Sequence, residues 1–218
     1  ILDVDADHLD FFKDLADIQH SFRSFAELVP AGGQIVANGD DRNTCDALSG
    51  LDYVTFGFRE ENRVHWANAS ADCRTFDVIC DGKAYCHVSL GVRGRHNALN
   101  ALAAAAVAWL YCIGPEAVEQ ALHEFTGAGR RLEYKGSFHG ADVYDDYAHH
   151  PHELHALLET VRTMGYDRIL CAFQPHTYSR TKALFADFVA ELRTVDVAVL
   201  TDIYAAREQN TVGITSQD

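Results

Sequence analysis

The last third of the chain alternates between strand-like and helix-like segments, and this order limits the folds open to it. The strand-like runs cover residues 141–147, 168–173 and 195–200. Leucines recur at helical spacing after Pro151, and a second apolar helical face lies between residues 184 and 192. This βαβαβ order predicts parallel strands joined by right-handed crossovers, and hence a Rossmann-like domain.

The first two thirds of the chain indicate a different α/β arrangement. Short alternating runs between residues 53 and 90, separated by turns such as Asp81-Gly82, predict a small, mostly antiparallel sheet. The other predicted elements are one short strand and three helices, at residues 34–37, 11–28, 94–112 and 116–125.

A glycine-rich segment, Gly127-Ala128-Gly129, is the predicted hinge between two domains that cover residues 1–128 and 129–218. The chain starts at Ile1 rather than Met and ends on a polar stretch. We therefore expect it to be a piece of a longer protein.

Charge and hydropathy exclude some classes of partner. The net charge of −14 argues against non-specific binding to nucleic acid, which needs clustered Lys and Arg. No apolar run approaches the ~18 residues of a membrane span, so no membrane partner is expected.

The six cysteines form no Cys-x-x-Cys pair, and several lie in apolar runs. Reduced cysteines and a cytoplasmic location are the expectation.

The densest polar cluster is the segment DDYAHHP at residues 145–151, where a predicted strand leads into a helix. Pro151 suits the first helical position, where its missing N–H costs nothing. In α/β sheets, polar residues at the carboxyl end of a strand face the crevice that binds ligands. The alternative interpretation is an ordinary polar junction.

Two further clusters offer groups that suit a nucleotide. Asn97 and Asn100 are three residues apart on a predicted helix, and their carboxamides can bind a purine edge or ribose hydroxyls. Helix capping by Asn97 would explain only one of them. Arg130 and Arg131 follow the glycine hinge, and a planar guanidinium suits phosphate. Two solvated linker arginines are the alternative.

The loop QPHTYSRT at residues 174–181 also follows a strand and precedes a helix. We expect it to lie beside Asp146 at the same sheet edge, where His176 and Arg180 could hold a carboxylate. The alternative is a polar loop that ends in Ser/Thr helix caps.

Possible metal ligands occur in two places. His8 lies among carboxylates in the segment DADHLD, which suits a hard or borderline cation, although Asp-rich helix starts are common without one. A metal site formed by histidines of the region 149–155 is a weaker alternative, because they cross a strand–helix boundary. The chain has no Gly-x-x-x-x-Gly-Lys-[Ser/Thr] phosphate loop.

Taken in order, these clusters resemble the Mur ligases of peptidoglycan synthesis. The resemblance is carried by the stretches ADHLD, GRHNALNALAAAAVA, GAGRR, DDYAHHP and FQPHTYSRT, and VLTDIYAARE extends it to Glu208. One departure is Thr177, where the family usually has Arg after QPH. If that Arg helps to bind the amino acid's carboxylate, Arg180 carries more of this role here.

The resemblance implies ATP-dependent addition of L-alanine to UDP-N-acetylmuramate through an acyl phosphate, in cell-wall biogenesis that supports cell shape and division. The chain would be the back part of the central ATP-binding domain followed by most of the Rossmann-like, amino-acid-binding domain. Without the phosphate loop, it is expected to be inactive alone.

The resemblance also implies roles for individual residues. His8 would support Mg²⁺, and His8 and Arg131 would act in catalysis. Asn97 and Asn100 would contact the adenine end of ATP, Asp146 the ribose, and Arg131 the ribose or phosphate. The expected alanine side consists of Tyr147, His149, His176 and Arg180. Open alternatives are a muropeptide-recycling, folate or cyanophycin type of amide ligase, and a non-catalytic nucleotide-binding module.

Overall fold

A computed structural model describes residues 1–7 and 11–218, and these form two compact units, Ile1–Thr126 and Gly127–Asp218. Both units combine helices with strands, so the protein is an α/β protein as expected. The described part of the chain has no helix whose length and apolar character would let it cross a bilayer.

The first unit is built on one five-stranded mixed sheet in the order β1-β2-β3-β4-β5. Strands β1, β2 and β3 are parallel, whereas β3, β4 and β5 are antiparallel. The predicted antiparallel part is present. Strands β1 and β2 extend it in parallel, and this was not predicted, because alternation alone does not reveal strand direction. The elements are α1 Leu15–Ala26, β1 Val36–Asn38, α2 Arg42–Ala47, β2 Val54–Gly57, β3 Val64–Ala67, β4 Thr75–Cys80, β5 Lys83–Ser89, α3 Arg95–Leu110 and α4 Pro115–Glu124.

Helix α3 packs on this sheet through its alanine-rich face. Ala105 and Leu102 are fully buried, and they share a core cluster with Phe76 of β4 and Val88 of β5. Small side chains let the helix approach the strands closely, as the alanine content predicted. Gly94 caps the helix start with φ 102°, a left-handed conformation that favours glycine.

The second unit contains two separate two-stranded sheets. Strands β6 and β7 form an antiparallel hairpin, and β8 pairs in parallel with β9. Helices α5 and α7 pack together over a small core that contains Leu154, Leu158 and Phe188. The elements are β6 Glu133–Phe138, β7 Ala141–Asp145, α5 Pro151–Arg162, β8 Leu170–Phe173, α6 Tyr178–Ala183, α7 Phe185–Leu192 and β9 Val197–Leu200.

This arrangement corrects one expectation about the second unit. The predicted strand before DDYAHHP pairs with β6 rather than with β8, so among the described strands of the second unit only β8 and β9 pair in parallel. The β6 segment, EYKGSF, has only Tyr134 and Phe138 as large apolar residues, with Gly136 between them, and the hairpin partner of β7 was not predicted.

Replacing Leu102 by Ala should lower the free energy of unfolding of the first unit by about 2–5 kcal/mol, because it leaves a cavity beneath α3. Val107→Ala on the same helix is the matched control: Val107 is 45% exposed, so the change should stay within about 0.5 kcal/mol. Both tryptophans, Trp66 and Trp109, lie in the first unit, so their fluorescence in denaturant reports its unfolding. Equal effects of the two variants would contradict the assigned core.

Candidate functional site

The loop after β8 is held by backbone pairing with the segment after β9. The N–H of Thr177 donates to the carbonyl of Tyr204 at 2.8 Å, and the N–H of Tyr204 donates to the carbonyl of Pro175 at 2.8 Å. His176 and Tyr204 thus form an isolated parallel bridge beyond the ends of the two strands. The predicted loop is therefore a paired extension of the β8–β9 sheet.

Thr177 makes the turn from this pairing into helix α6. Its φ is 63° and its ψ 145°, a sparsely populated region for a β-branched residue. Such a conformation costs on the order of 1–3 kcal/mol and persists only where neighbours hold it. The Thr177 carbonyl accepts hydrogen bonds from the N–H of Thr181 at 3.2 Å and from its hydroxyl at 2.6 Å. Thr177 caps α6 by position, but its side chain makes no capping bond.

The turn places Arg180 next to His176. A guanidinium nitrogen of Arg180, Nη1, lies 3.3 Å from the Nδ1 atom of His176. The ring of His176 lies 5.9 Å from that of His149, which lies 5.2 Å from that of Tyr147. All four residues expected on the alanine side are therefore close together within the second unit, although β7 and β8 are not paired. Their role in binding stays a prediction.

Asp146 holds the loop before α5 through two backbone contacts. Its Oδ2 accepts the N–H of Leu132 at 2.7 Å, and its Oδ1 accepts the N–H of Ala148 at 2.7 Å. The carboxylate is half-buried and fixed in orientation. Each oxygen keeps lone-pair capacity for another donor.

Arg131 lies beside Glu153, with its Nη1 3.3 Å from Oε1 of the glutamate. Burial raises the pKa of Glu153, but the N–H and charge of His149 and the contact with Arg131 outweigh it, and the pKa ends below its ordinary value. Glu153 also accepts the N–H of His150, which completes a capping box at the start of α5. Pro151 takes an early helical position, as predicted.

Asn97 and Asn100 lie on the first turns of α3 in the first unit. Asn97 is half-buried and donates from Nδ2 to the carbonyl of Arg93 at 2.7 Å, while Asn100 is exposed. Gly94 rather than Asn97 occupies the capping position, so the capping alternative does not describe this helix. That Asn97 and Asn100 bind the same nucleotide as Asp146 stays a prediction.

The proposed metal ligand His8 lies outside the described residues. Several histidines around the start of α5 have contacts of their own. His149 places Nδ1 2.8 Å from the carbonyl of Tyr147, and His155 places Nδ1 3.1 Å from Glu191. His150 caps α5 by accepting the N–H of His152. His149 and His155 therefore contact different partners, whereas the rings of His150 and His152 lie 5.3 Å apart. A metal bound by histidines of this region stays a prediction.

One carboxylate near the site was not predicted as a functional residue. Glu208 contacts Ser179 at the start of α6, although 29 residues separate them in the chain. The available signal was its position shortly after the β9 strand, whose carboxyl end lies at the same edge as that of β8.

Family models match most of the chain. One described as Mur ligase middle domain matches residues 1–108, and one described as Mur ligase, glutamate ligase domain matches residues 130–216. These matches cover parts of both compact units.

Full-length relatives match over the whole chain. It is 45% identical to a UDP-N-acetylmuramate–L-alanine ligase of Caldanaerobacter subterraneus subsp. tengcongensis, over 100% of this chain and 48% of the relative. The corresponding ligase of Agathobacter rectalis is 44% identical, over 100% of this chain and 49% of the relative. The chain thus spans about half the length of the curated relatives it matches.

A solved structure has the same fold. The crystal structure of UDP-N-acetylmuramate-alanine ligase MurC from Thermotoga maritima superposes with a TM-score of 0.70 at 29% identity. The superposition covers 91% of this chain and 44% of the other.

His176 should titrate below its ordinary pKa. Burial lowers the pKa of His176, and the charges of Arg180 and His149 lower it further, while Glu208 opposes them. The ring is therefore neutral at pH 7. As the pH falls through the unfolded pKa of about 6.5, the unfolded state binds a proton that the folded state does not, and stability decreases until the folded pKa is passed.

The ring resonance of His176, followed by NMR against pH, should give a midpoint below that of the same resonance in denaturant. Arg180→Ala should move the folded midpoint upward. A folded midpoint equal to or above the unfolded one would contradict the described surroundings.

Proposed function

The chain belongs to the Mur ligase family, and we propose that it is part of an enzyme that uses ATP to join L-alanine to UDP-N-acetylmuramate. The muramyl carboxylate would take the γ-phosphoryl group of ATP, and ADP would leave. The amine of alanine would then displace phosphate from this acyl phosphate and form the amide. We further propose that the reaction belongs to peptidoglycan synthesis in the cytoplasm.

The observation that carries this proposal is the cluster of Arg180, His176, His149 and Tyr147 in the second unit. A fixed guanidinium suits the carboxylate of a free amino acid, because it donates charge-assisted hydrogen bonds. The neutral ring of His176 leaves Arg180 as the principal cation for this carboxylate. Aromatic and imidazole rings would enclose the small alanine side chain and orient its amine.

The residues proposed to bind ATP carry side chains that can bind its ribose, adenine and phosphates. Asp146 is fixed by two backbone N–H groups and keeps capacity to accept ribose hydroxyls. Asn97 and Asn100 would serve the adenine end. Arg131, whose side chain is about half exposed, would neutralise charge on the transferring phosphate.

Mg²⁺ would accompany ATP and reduce the repulsion between its phosphates and the approaching carboxylate. His8 is the proposed support for this ion on the strength of its place in the ADHLD motif. Catalysis in such a reaction consists mainly of alignment and charge neutralisation. The proposed partners are the two substrates. The net charge of −14 supports the absence of nucleic acid from this set.

In the full-length protein, Arg180→Ala should raise the KM for alanine roughly 10- to 150-fold and leave the KM for ATP nearly unchanged. The loss of one charge-assisted carboxylate contact costs on the order of 1.5–3 kcal/mol. Initial rates of alanine-dependent phosphate release measure both constants.

Lys182→Ala is the matched control, because Lys182 is an exposed cation on the same helix. It should leave both constants unchanged. Equal increases in the two constants for Arg180→Ala would assign Arg180 a general structural role. Greater activity with another amino acid or a peptide would favour a different amide ligase of the family.

Thr177→Arg should leave activity intact or lower the KM for alanine, because it adds a cation beside Arg180. Arginine lacks the β-branch that makes a φ of 63° especially unfavourable for threonine. Thr177→Gln is the control for side-chain length without charge. A rise in the alanine KM with Arg but not with Gln would show that added charge at residue 177 opposes binding.

A further inference from the structure

Glu208 joins the segment after β9 to the first turn of α6. Its Oε2 accepts the N–H of Ser179 at 2.9 Å, and its Oε1 accepts the hydroxyl of the same residue. Glu208 is half-buried, and its own N–H donates to the carbonyl of Ala205 at 2.9 Å. Both carboxylate oxygens therefore bind Ser179, and the backbone of Glu208 is held by Ala205.

The contact between Glu208 and Ser179 supplies the capping acceptor that helix α6 lacks. The first N–H groups of a helix have no partner within it, and a capping side chain commonly accepts one of them. The side chain of Thr177, at the capping position of α6, makes no such bond. Glu208 takes this role from a distant segment, and its negative charge suits the positive end of the helix.

Glu208 stays ionised in this position. Burial raises the pKa of Glu208, but hydrogen bonds from Ser179 and the backbone of Tyr178, with the charge of Arg180, outweigh it and hold the pKa below its ordinary value. Its hydrogen bonds are therefore charge-assisted at neutral pH, and stronger than those of a neutral acceptor.

The helix turn that Glu208 holds also carries Arg180. Ser179 and Arg180 are adjacent, and Arg180 lies 3.3 Å from His176. The residue before the helix, Thr177, has an unfavourable φ of 63° that only its neighbours maintain. Release of the first turn would let Thr177 relax and would move Arg180 away from its place beside His176.

We propose that Glu208 is a positioning residue for amino-acid binding: by clamping Ser179, it sets Arg180 and His176 in the geometry that receives the substrate carboxylate. This inference rests on the proposed function and deepens it. Glu208 acts through Ser179 and Arg180 rather than through the substrate.

The test uses Glu208→Gln, Glu208→Ala and Ser179→Ala in the full-length protein, with Gln209→Ala as the matched control. Gln209 is the exposed neighbour of Glu208. Glu208→Ala should raise the KM for alanine roughly tenfold and leave the KM for ATP unchanged, because it removes both hydrogen bonds by which the charged carboxylate holds the turn. Glu208→Gln, which keeps an acceptor but loses the charge, should give a smaller increase. Gln209→Ala should have no effect.

Two further readouts separate positioning from general stability. The double variant Ser179→Ala with Glu208→Ala should be no worse than Glu208→Ala alone, since Glu208→Ala already removes the hydroxyl contact that Ser179→Ala removes. Amide hydrogen exchange at Ser179 should become roughly tenfold faster in Glu208→Ala, while exchange in α5 stays unchanged. Equal increases in both KM values, or unchanged exchange at Ser179, would overturn the inference.

The exchange measurement does not depend on activity. If the unmodified full-length protein forms no product with alanine, the proposed function fails, while faster exchange at Ser179 would still support the clamp. If Glu208→Ala does not fold, Glu208→Gln and Ser179→Ala carry the same comparison.

Discussion

The candidate site depends on backbone pairing that continues beyond the ends of two parallel strands. Strands β8 and β9 end at Phe173 and Leu200, yet Tyr204 still exchanges hydrogen bonds with Pro175 and Thr177. Parallel strands end at the same edge of a sheet, so their following segments emerge side by side and can pair. This pairing fixes the backbone of His176 and sets the start of α6.

Carboxylates that accept backbone N–H groups hold three other segments of the second unit. Asp146 connects the start of β6 to the segment before α5, Glu153 closes the capping box of α5, and Glu208 clamps α6. Backbone donors in irregular segments need partners, and an ionised acceptor makes the stronger bond. Part of the acidity of this chain therefore orders loops instead of serving as a solvated surface.

Most helices and most strands followed from local patterns. Helical spacing of leucines after Pro151 and the alanine-rich run in α3 predicted those helices closely. The apolar face between residues 184 and 192 predicted α7, but α6, Tyr178–Ala183, lies mostly in the segment that was predicted as a loop. Leu184, with φ −108° and ψ 22°, separates the two helices. Helix α2 covers only Arg42–Ala47, too short for its periodicity to be recognised.

The sequence by itself determined the longer helices, where the polar clusters lie, and that Tyr147, His149, His176 and Arg180 follow strand ends. These features depend on spacing between near neighbours, which the chain displays directly. Only the tertiary structure decided that β7 pairs with β6, that β1 and β2 join the sheet in parallel, and that Glu208 reaches Ser179. Such contacts join distant residues, and the partner of a strand or a carboxylate depends on which other groups the folded chain brings within hydrogen-bonding distance.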